Sequence, residues 1–167
     1  MKIKLGKLCN IVKGKTGIQK AKPGQYPLVV TAEDRLTSNE YQFNQEAVCI
    51  PMVSSTGHGH ASLNRIHYQE GKFALGNILC AVTSKDENIL STKFLYYYLS
   101  TYKDEILVPL MKGSANVSLS LTSLNNLEIT IPPITKQHEI IKKIDLQREE
   151  IDKVKIKFSR VFEDIEL

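Results

Sequence analysis

The last thirty residues of the chain repeat every seven, and the repeat begins directly after Pro132-Pro133. Ile144, Ile151, Phe158 and Ile165 are spaced by seven; Ile140, Val154 and Val161 fall four residues before or three after them, with Gln147 the one polar interruption. This is the a/d stripe of a coiled coil, sustained over about four heptads. A stripe on one helix cannot cover itself, so it needs a second helix or the chain's own body. Its flanks carry Lys142, Lys143, Arg148, Glu149, Asp152, Lys155 and Lys157, which suits a narrow seam with wet edges better than a wide face folded back on the body. The proline pair forbids helix before residue 133 and holds Ile131 and Pro132 extended. The chain is therefore expected to divide into a globular body, residues 1–134, and a protruding helix, residues 135–167. That helix would dimerise through Ile140, Ile144, Ile151, Val154, Phe158, Val161 and Ile165.

Charge separates the same two parts. Lys2, Lys4, Lys7, Lys13, Lys15, Lys20 and Lys22 all precede the first acid, Glu33. Residues 1–138 hold 15 basic and 10 acidic side chains, and 139–167 hold 7 and 8, so the net +4 belongs to the body. A basic body on a near-neutral assembly helix fits a polyanion-binding module; a solvated lysine-rich surface is the plainer alternative. No apolar run approaches the roughly 20 residues of a membrane span, and the start, Met-Lys-Ile-Lys-Leu-Gly-Lys, lacks the apolar segment of a secretion signal. Cys9, Cys49 and Cys80 are odd in number, far apart and without a CxxC. They are expected as buried free thiols in a reducing cytoplasm.

Along the body, residues 5–12 suggest a short amphipathic helix stopped by Gly14, followed by a lysine-rich loop to Gly24. Runs rich in Val, Ile and aromatics predict strands at 26–31, 47–53, 62–68, 78–83 and 127–131. Residues 92–102 predict a helix capped by Ser91 or Thr92, with Phe94, Leu95, Tyr98 and Leu99 on one face. The adjacent Tyr96, Tyr97 and Tyr98 point in different directions on a helix, so core packing is a better reading than base stacking. The fold class is α+β, with a mixed or antiparallel sheet body and short helices, ending in the long helix.

Three enzymatic readings find little support. A base methyltransferase needs an Asn or Asp before its Pro-Pro-aromatic tetrad, and here Ile131 and Ile134 flank the pair. A metal-dependent nuclease could use Glu70-x-Lys72, but the triplet lacks a convincing upstream Pro-Asp. The segment Ser54-Ser-Thr-Gly-His-Gly-His60 could ligate a metal through His58 and His60, with His67 or Cys49 as a third ligand, although zinc sites usually present tighter sets. The same segment also reads as a recognition loop, in which glycines allow close backbone approach and short hydroxyls and imidazoles reach phosphates or base edges. An ordinary hairpin tip is the alternative. No metal or cofactor is expected.

The stretch Lys93–Asp145 resembles the specificity (S) subunit of type I restriction-modification systems. The resemblance is carried by Phe94-Leu-Tyr-Tyr-Tyr-Leu99, Gly113-Ser-Ala-Asn-Val-Ser-Leu-Ser120, Leu124-Asn-Asn-Leu-Glu-Ile-Thr-Ile-Pro-Pro-Ile134 and Gln137-x-x-Ile140-x-x-Lys143-Ile-Asp145. Residues 5–14 look like the usual opening of such a domain. The resemblance implies a DNA target-recognition domain followed by a long helix, one half of a tandem subunit, with no catalytic activity of its own. It implies double-stranded DNA, an adenine methyltransferase (M) subunit and a restriction (R) subunit as partners. It also implies a second recognition unit, a homodimer in the simplest case. Lys136 stands where the family typically has Glu, a change that removes an acid from the positive end of the helix. On this reading Lys13, Lys15, Lys20 and Lys22 are candidates for phosphates. Arg35, Ser54, Ser55, Thr56, His58, His60 and Arg65, with Lys112, Asn116 and Ser118, are candidates for base edges and further polar contacts.

Overall fold

In the computed structural model, residues 2–56, 59–114 and 116–165 are described, with side chains of the last helix described to Val161. The chain begins with β1 (Ile3–Lys4), α1 (Leu5–Leu8) and β2 (Cys9–Lys13). Next come β3 (Tyr26–Val29), β4 (Leu36–Ser38), β5 (Phe43–Asn44), β6 (Ala47–Pro51), β7 (His67–Gln69), β8 (Lys72–Leu75) and β9 (Leu79–Ser84). It ends with α2 (Thr92–Ile106), α3 (Leu121–Asn126), β10 (Glu128–Ile129) and α4 (Ile134–Ile165). The strands form two four-stranded sheets, ordered β2-β9-β6-β7 and β4-β3-β8-β5, and a small β1-β10 pair. All pairings are antiparallel except β3 with β8.

Strand alternation explains the layering. Ala47, Cys49, Leu79 and Ala81 point to the second sheet, where they meet Val29, Phe43, Phe73 and Leu75. The intervening Val48, Ile50, Cys80 and Val82 point the other way, into a core shared with Leu5, Leu95, Leu99, Leu124 and Ile129. Strands buried on both faces read as continuous apolar runs, which is why β6 and β9 stand out in the sequence. All three cysteines are buried and unpaired, and burial raises the thiols of Cys9 and Cys80 to about 12.

Several local expectations need correction. The helix expected over 5–12 stops at Leu8, because Cys9–Lys13 pairs with β9 and ladder bonds outweigh a marginal one-turn helix. Of the strand expected over 62–68 only the end forms, in β7 (His67–Gln69), which pairs with Ala47, Val48 and Cys49 of β6, while Ile50 and Pro51 pair with β9 alone. Helix α3 (Leu121–Asn126) has no counterpart among the expected elements; the Ser120 side chain caps it by accepting from the Ser123 amide at 3.0 Å. The second sheet is built from strands of two to four residues that carry no extended pattern, and most of it was not anticipated. The helix expected at 92 does begin there, with Ser91 accepting from the Phe94 amide, and runs on to Ile106. The long helix begins at Ile134, directly after the proline pair.

Candidate nucleic-acid interface

β2 and β6 both run antiparallel to β9, so their C-terminal ends lie side by side: Lys13 is opposite Cys80 and Pro51 opposite Leu79. The lysine-rich loop after β2 and the hydroxyl-rich loop after β6 therefore leave the sheet at one end. One intervening strand separates them, or about 10 Å. The segment after α2 joins them there: the Ser54 amide donates to the Val117 carbonyl at 2.9 Å, and the Leu119 amide to the Met52 carbonyl at 2.9 Å. The three polar segments singled out in the sequence thus form one surface.

The lysine loop is fastened at its base. The Gly14 amide donates to Leu79, Thr16 to Leu75 and Asn77 to Thr16, at 2.9–3.0 Å. The Gln42 side chain accepts from the Lys15 amide and donates to the Lys13 carbonyl, both at 2.9 Å. A Cβ at Gly14 would collide with the Gly76 carbonyl, so this crossing requires glycine. Lys13, Lys15, Lys20 and Lys22 are all exposed, and none forms an ion pair among the described residues. Lys15, Lys20 and Lys22 rim a cleft of about 330 Å³ with Ser38, Asn39 and Glu40.

In the second loop the hydroxyls turn inward. Ser54 donates to the His60 carbonyl at 2.5 Å and accepts from the Ser62 amide at 3.1 Å. Ser55 accepts from the Asn64 amide at 2.9 Å, and Thr56 lies 3.1 Å from the Ser62 hydroxyl. These three side chains build the loop, while His60 remains exposed at its rim. His58 lies outside the described residues. Lys112 and Ser118 pair backbone to backbone at 2.8 and 2.9 Å, which closes a hairpin whose Gly113 adopts φ +137° and leaves Lys112 and Asn116 exposed.

Arg35 and Arg65 sit elsewhere, at the β7 edge. Arg35 donates to the Gln69 side chain (3.0 Å), the Glu33 carbonyl (3.1 Å), the Tyr68 carbonyl (3.3 Å) and His67 Nδ1 (3.0 Å). Arg65 pairs with Glu33 at 2.8 Å. Burial first, then the charges of Arg35 and Arg65, lower His67 to about 4, so it is the neutral ring that accepts from Arg35. The two arginines line a cleft of about 380 Å³ with Lys93, Tyr96, Tyr97 and Arg148, which joins the body to α4.

That junction is the feature sequence reading missed. Gln137 is fully buried: its Oε1 accepts from the Ser91 amide at 2.9 Å, and its Nε2 donates to the Ile89 and Pro132 carbonyls at 2.9 Å. Two turns on, Asp145 accepts from Lys93 at 2.7 Å and from the Tyr97 hydroxyl, and the Arg148 guanidinium lies 5.0 Å from the Tyr97 ring centroid. Partial burial pushes the Asp145 carboxyl up, but the Lys93 and Tyr97 hydrogen bonds and the nearby cations hold it below the ordinary carboxylate range. Burial and Asp145 together push Tyr97 up to about 12. The spacing of Gln137 and Asp145 inside one motif was the available signal. Ile140 and Ile144, expected in the dimer seam, are half-buried beside α2, whereas Ile151, Val154, Phe158 and Val161 are each more than half exposed. The Ile165 side chain lies outside the described residues.

The residues of the enzymatic readings do not converge. His67 and Cys49 are cross-strand neighbours inside the sheet while His60 is on the loop. No group of three or more His, Cys, Asp and Glu side chains among the described residues could hold a metal ion. No helix among them is long and apolar enough to cross a membrane.

Comparison with known proteins gives a consistent result. Residues 1–157 match the family model of the type I restriction modification DNA specificity domain. A Haemophilus influenzae protein assigned as a type I restriction enzyme specificity subunit is 34% identical over 89 residues, which cover 52% of this chain and 22% of that protein. The S subunit of a type I restriction-modification system from M. genitalium aligns with a TM-score of 0.71 at 19% identity. The HsdS subunit of Thermoanaerobacter tengcongensis aligns at 0.63 and 19%. Each alignment covers 92% of this chain, but only 40% and 38% of the respective S subunits.

Proposed function

The chain belongs to the type I restriction-modification DNA specificity family, and on that premise we propose that it serves as one recognition unit of a specificity subunit. The body, residues 1–134, binds double-stranded DNA with the loop surface at the end of the β2-β9-β6 sheet, and the helix, residues 135–167, pairs with that of a second unit. The observation that carries this reading is the convergence of the lysine loop, the 54–60 loop and the 112–118 hairpin at one sheet end, with the lysines exposed. Lys13, Lys15, Lys20 and Lys22 contact phosphates, and His60, Lys112 and Asn116 reach base edges. Ser54, Ser55 and Thr56 shape the loop. Arg35, with its donors already engaged, sets the β7 edge rather than reading a base.

The unit is not itself an enzyme and uses no cofactor. It holds an adenine methyltransferase subunit, and with it a restriction subunit, on cytoplasmic DNA. The exposed apolar residues Leu146 and Ile156, which lie off the heptad stripe, are available to such a partner. Two units joined antiparallel by their helices form a homodimer that reads a bipartite palindrome with an uncontacted spacer.

The test is a genome-wide map of methylated adenines in the source cell with and without this gene. One bipartite motif that loses methylation on deletion is the expected result, and an unchanged map rejects the assignment. For the phosphate contacts, replacing Lys13, Lys15, Lys20 and Lys22 together by Gln flattens the slope of log affinity against log salt by up to about 3.6 if all four release counterions. An unchanged slope removes them from the interface.

A further inference from the structure

The cleft where α4 leaves the body holds more positive charge than its own carboxylates balance. Four cations line it: Arg35 and Arg65 from the body, Lys93 from α2 and Arg148 from α4. Two carboxylates answer them, Glu33 at 2.8 Å from Arg65 and Asp145 at 2.7 Å from Lys93. Arg35 meets only neutral acceptors, namely the Gln69 side chain, the Glu33 and Tyr68 carbonyls and His67 Nδ1. Arg148 makes no ion pair among the described residues and lies over tyrosine rings, 5.0 Å from the Tyr97 centroid and 5.8 Å from that of Tyr96. Two guanidiniums without carboxylates around one concave space create a potential that an anion would lower. His67 beside them registers it: burial first, then the charges of Arg35 and Arg65, hold its ring neutral. Both guanidiniums are also positioned before any ligand arrives, Arg35 by its hydrogen bonds and Arg148 by stacking. Little side-chain freedom is left to lose on binding, which distinguishes them from the lysines of the first loop.

The cleft adjoins the loop surface. The Ser55 hydroxyl accepts from the Asn64 amide at 2.9 Å, and the next residue, Arg65, lines the cleft. β7 follows β6 in the sheet, so the order along its end is lysine loop, 54–60 loop, arginine cleft. We propose that this cleft is a phosphate site, which takes one phosphate oxyanion between Arg148 of α4 and Arg35 and Arg65 of the body. The planar guanidinium matches paired phosphate oxygens. Arg148 and Arg65 supply hydrogen bonds, while Arg35, whose donors are mostly engaged, supplies charge. Glu33 opposes the ligand from the lip, where its side chain is 78% exposed and free to turn into solvent. The same chemistry has two sources: a DNA backbone phosphate just outside the bases that the loops read, or a free phosphate group. Only the first source rests on the recognition role proposed above. With either, the phosphate ties α4 to the body one turn beyond Asp145.

Calorimetric titration of the full chain with inorganic phosphate, at an ionic strength held constant with chloride, tests the site. One phosphate binds per chain, and Arg148→Gln weakens it about tenfold, the effect of one hydrogen bond to a charged group. Glu33→Gln tightens it about threefold, because the opposing charge is removed and Arg65 is released. Both positions are exposed, so both variants fold. Lys153→Gln, which removes a charge from the same helix outside the cleft, changes the affinity by less than about twofold. No saturable binding, equal losses in Arg148→Gln and Lys153→Gln, or a weaker Glu33→Gln overturns the site. A chain that binds a polyglutamate peptide but not phosphate also overturns it, and gives the cleft to an acidic protein partner. The source is read with the methyltransferase subunit present, on a duplex carrying the mapped motif with single methylphosphonate linkages. For a DNA phosphate, the duplex displaces inorganic phosphate, and one neutral linkage weakens the parent but not Arg148→Gln. For a free phosphate, duplex and phosphate bind together. A chain that binds phosphate but no duplex rejects the recognition role and leaves the site; one that binds duplex but no phosphate rejects the site alone.

Discussion

The first four turns of α4 and the next four carry the same heptad spacing but meet opposite surroundings. From Gln137 to Arg148 the helix is fastened to its own body. Gln137 makes three buried hydrogen bonds, Asp145 joins Lys93 and Tyr97, and Ile140 and Ile144 lie half-buried against α2. From Ile151 to Val161 the stripe residues are all more than half exposed. Apolar spacing therefore specifies that a face must be covered, not by what. The polar residues supply the distinction: the fastened turns carry a buried amide and a carboxylate aimed at the body, and the free turns carry only flanking charges. The proximal half is packed on the domain, and the distal half is the part that the proposed helix pairing would cover.

The sharpest way to break this contrast is Val154→Asp. In the proposed antiparallel pair Val154 lies in the seam of both helices, so two carboxylates would be buried without partners. The dimer should be lost at micromolar concentration by sedimentation, while the melting temperature of the monomeric body stays within about a degree of the parent. A variant that remains dimeric removes the distal stripe from the interface.

How far the sequence carried this reading depends on which residues interact locally. The proline pair, the heptads and the Ser91 cap are local signals, and each marks its element correctly. The doubly buried strands β6 and β9 were legible as continuous apolar runs. The second sheet was not, because β4 and β5 are only two or three residues long and gain their stability from partners remote in sequence. The site divides in the same way. The lysine loop and the 54–60 loop were visible as composition, but their adjacency needed the register of β2 and β6 on β9. Arg35 and Arg65 looked free because nothing in the sequence places Gln69, His67 and Glu33 around them.

The next largest effect lies in the body and should leave the distal helix untouched. His67 is held at about 4, against an ordinary value near 6.5, chiefly by burial and then by the charges of Arg35 and Arg65. Between those values the unfolded chain binds a proton that the folded chain does not, so stability falls as pH drops. Its contribution is complete above about pH 6.5. It declines by about 1.4 kcal/mol per pH unit and costs about 3 kcal/mol by pH 4. Urea unfolding across this range measures it. His67→Gln, which can still accept from Arg35, should remove that limb; an unchanged acid dependence means that another group is responsible.

Replacing Gln137 by Ala strands the Ser91 amide and the Ile89 and Pro132 carbonyls at the base of the rod, for a loss of about 2 kcal/mol. The loss should appear in unfolding of the whole chain, because Gln137 joins α4 to the loop that opens α2. A loss below about 0.5 kcal/mol would mean that α4 is held by its apolar contacts alone.

The smallest effect on stability is the most informative about the boundary. Asp145 is the last strong tether before the free stripe, and its carboxyl is one-third exposed. Asp145→Asn keeps an acceptor for Tyr97 and Lys93 but removes the charge, so the cost should be under about 1 kcal/mol. Since the native carboxyl is held below its ordinary range, its stabilisation is present at neutral pH and lost as pH falls through that range; the Asn variant loses this acid limb. Its larger consequence is geometric. With Gln137 intact and the Asp145 charge removed, the second tether loses its ion pair with Lys93 and is weaker than the first, and a rod held more loosely at that point can swing further. Distances between spin labels on the body and near Val161 should then broaden around an unchanged mean. A distribution as narrow as the parent's would show that the buried amide and the Ile140 and Ile144 contacts alone set the direction of the helix, and would move the boundary between its two halves back toward the proline pair.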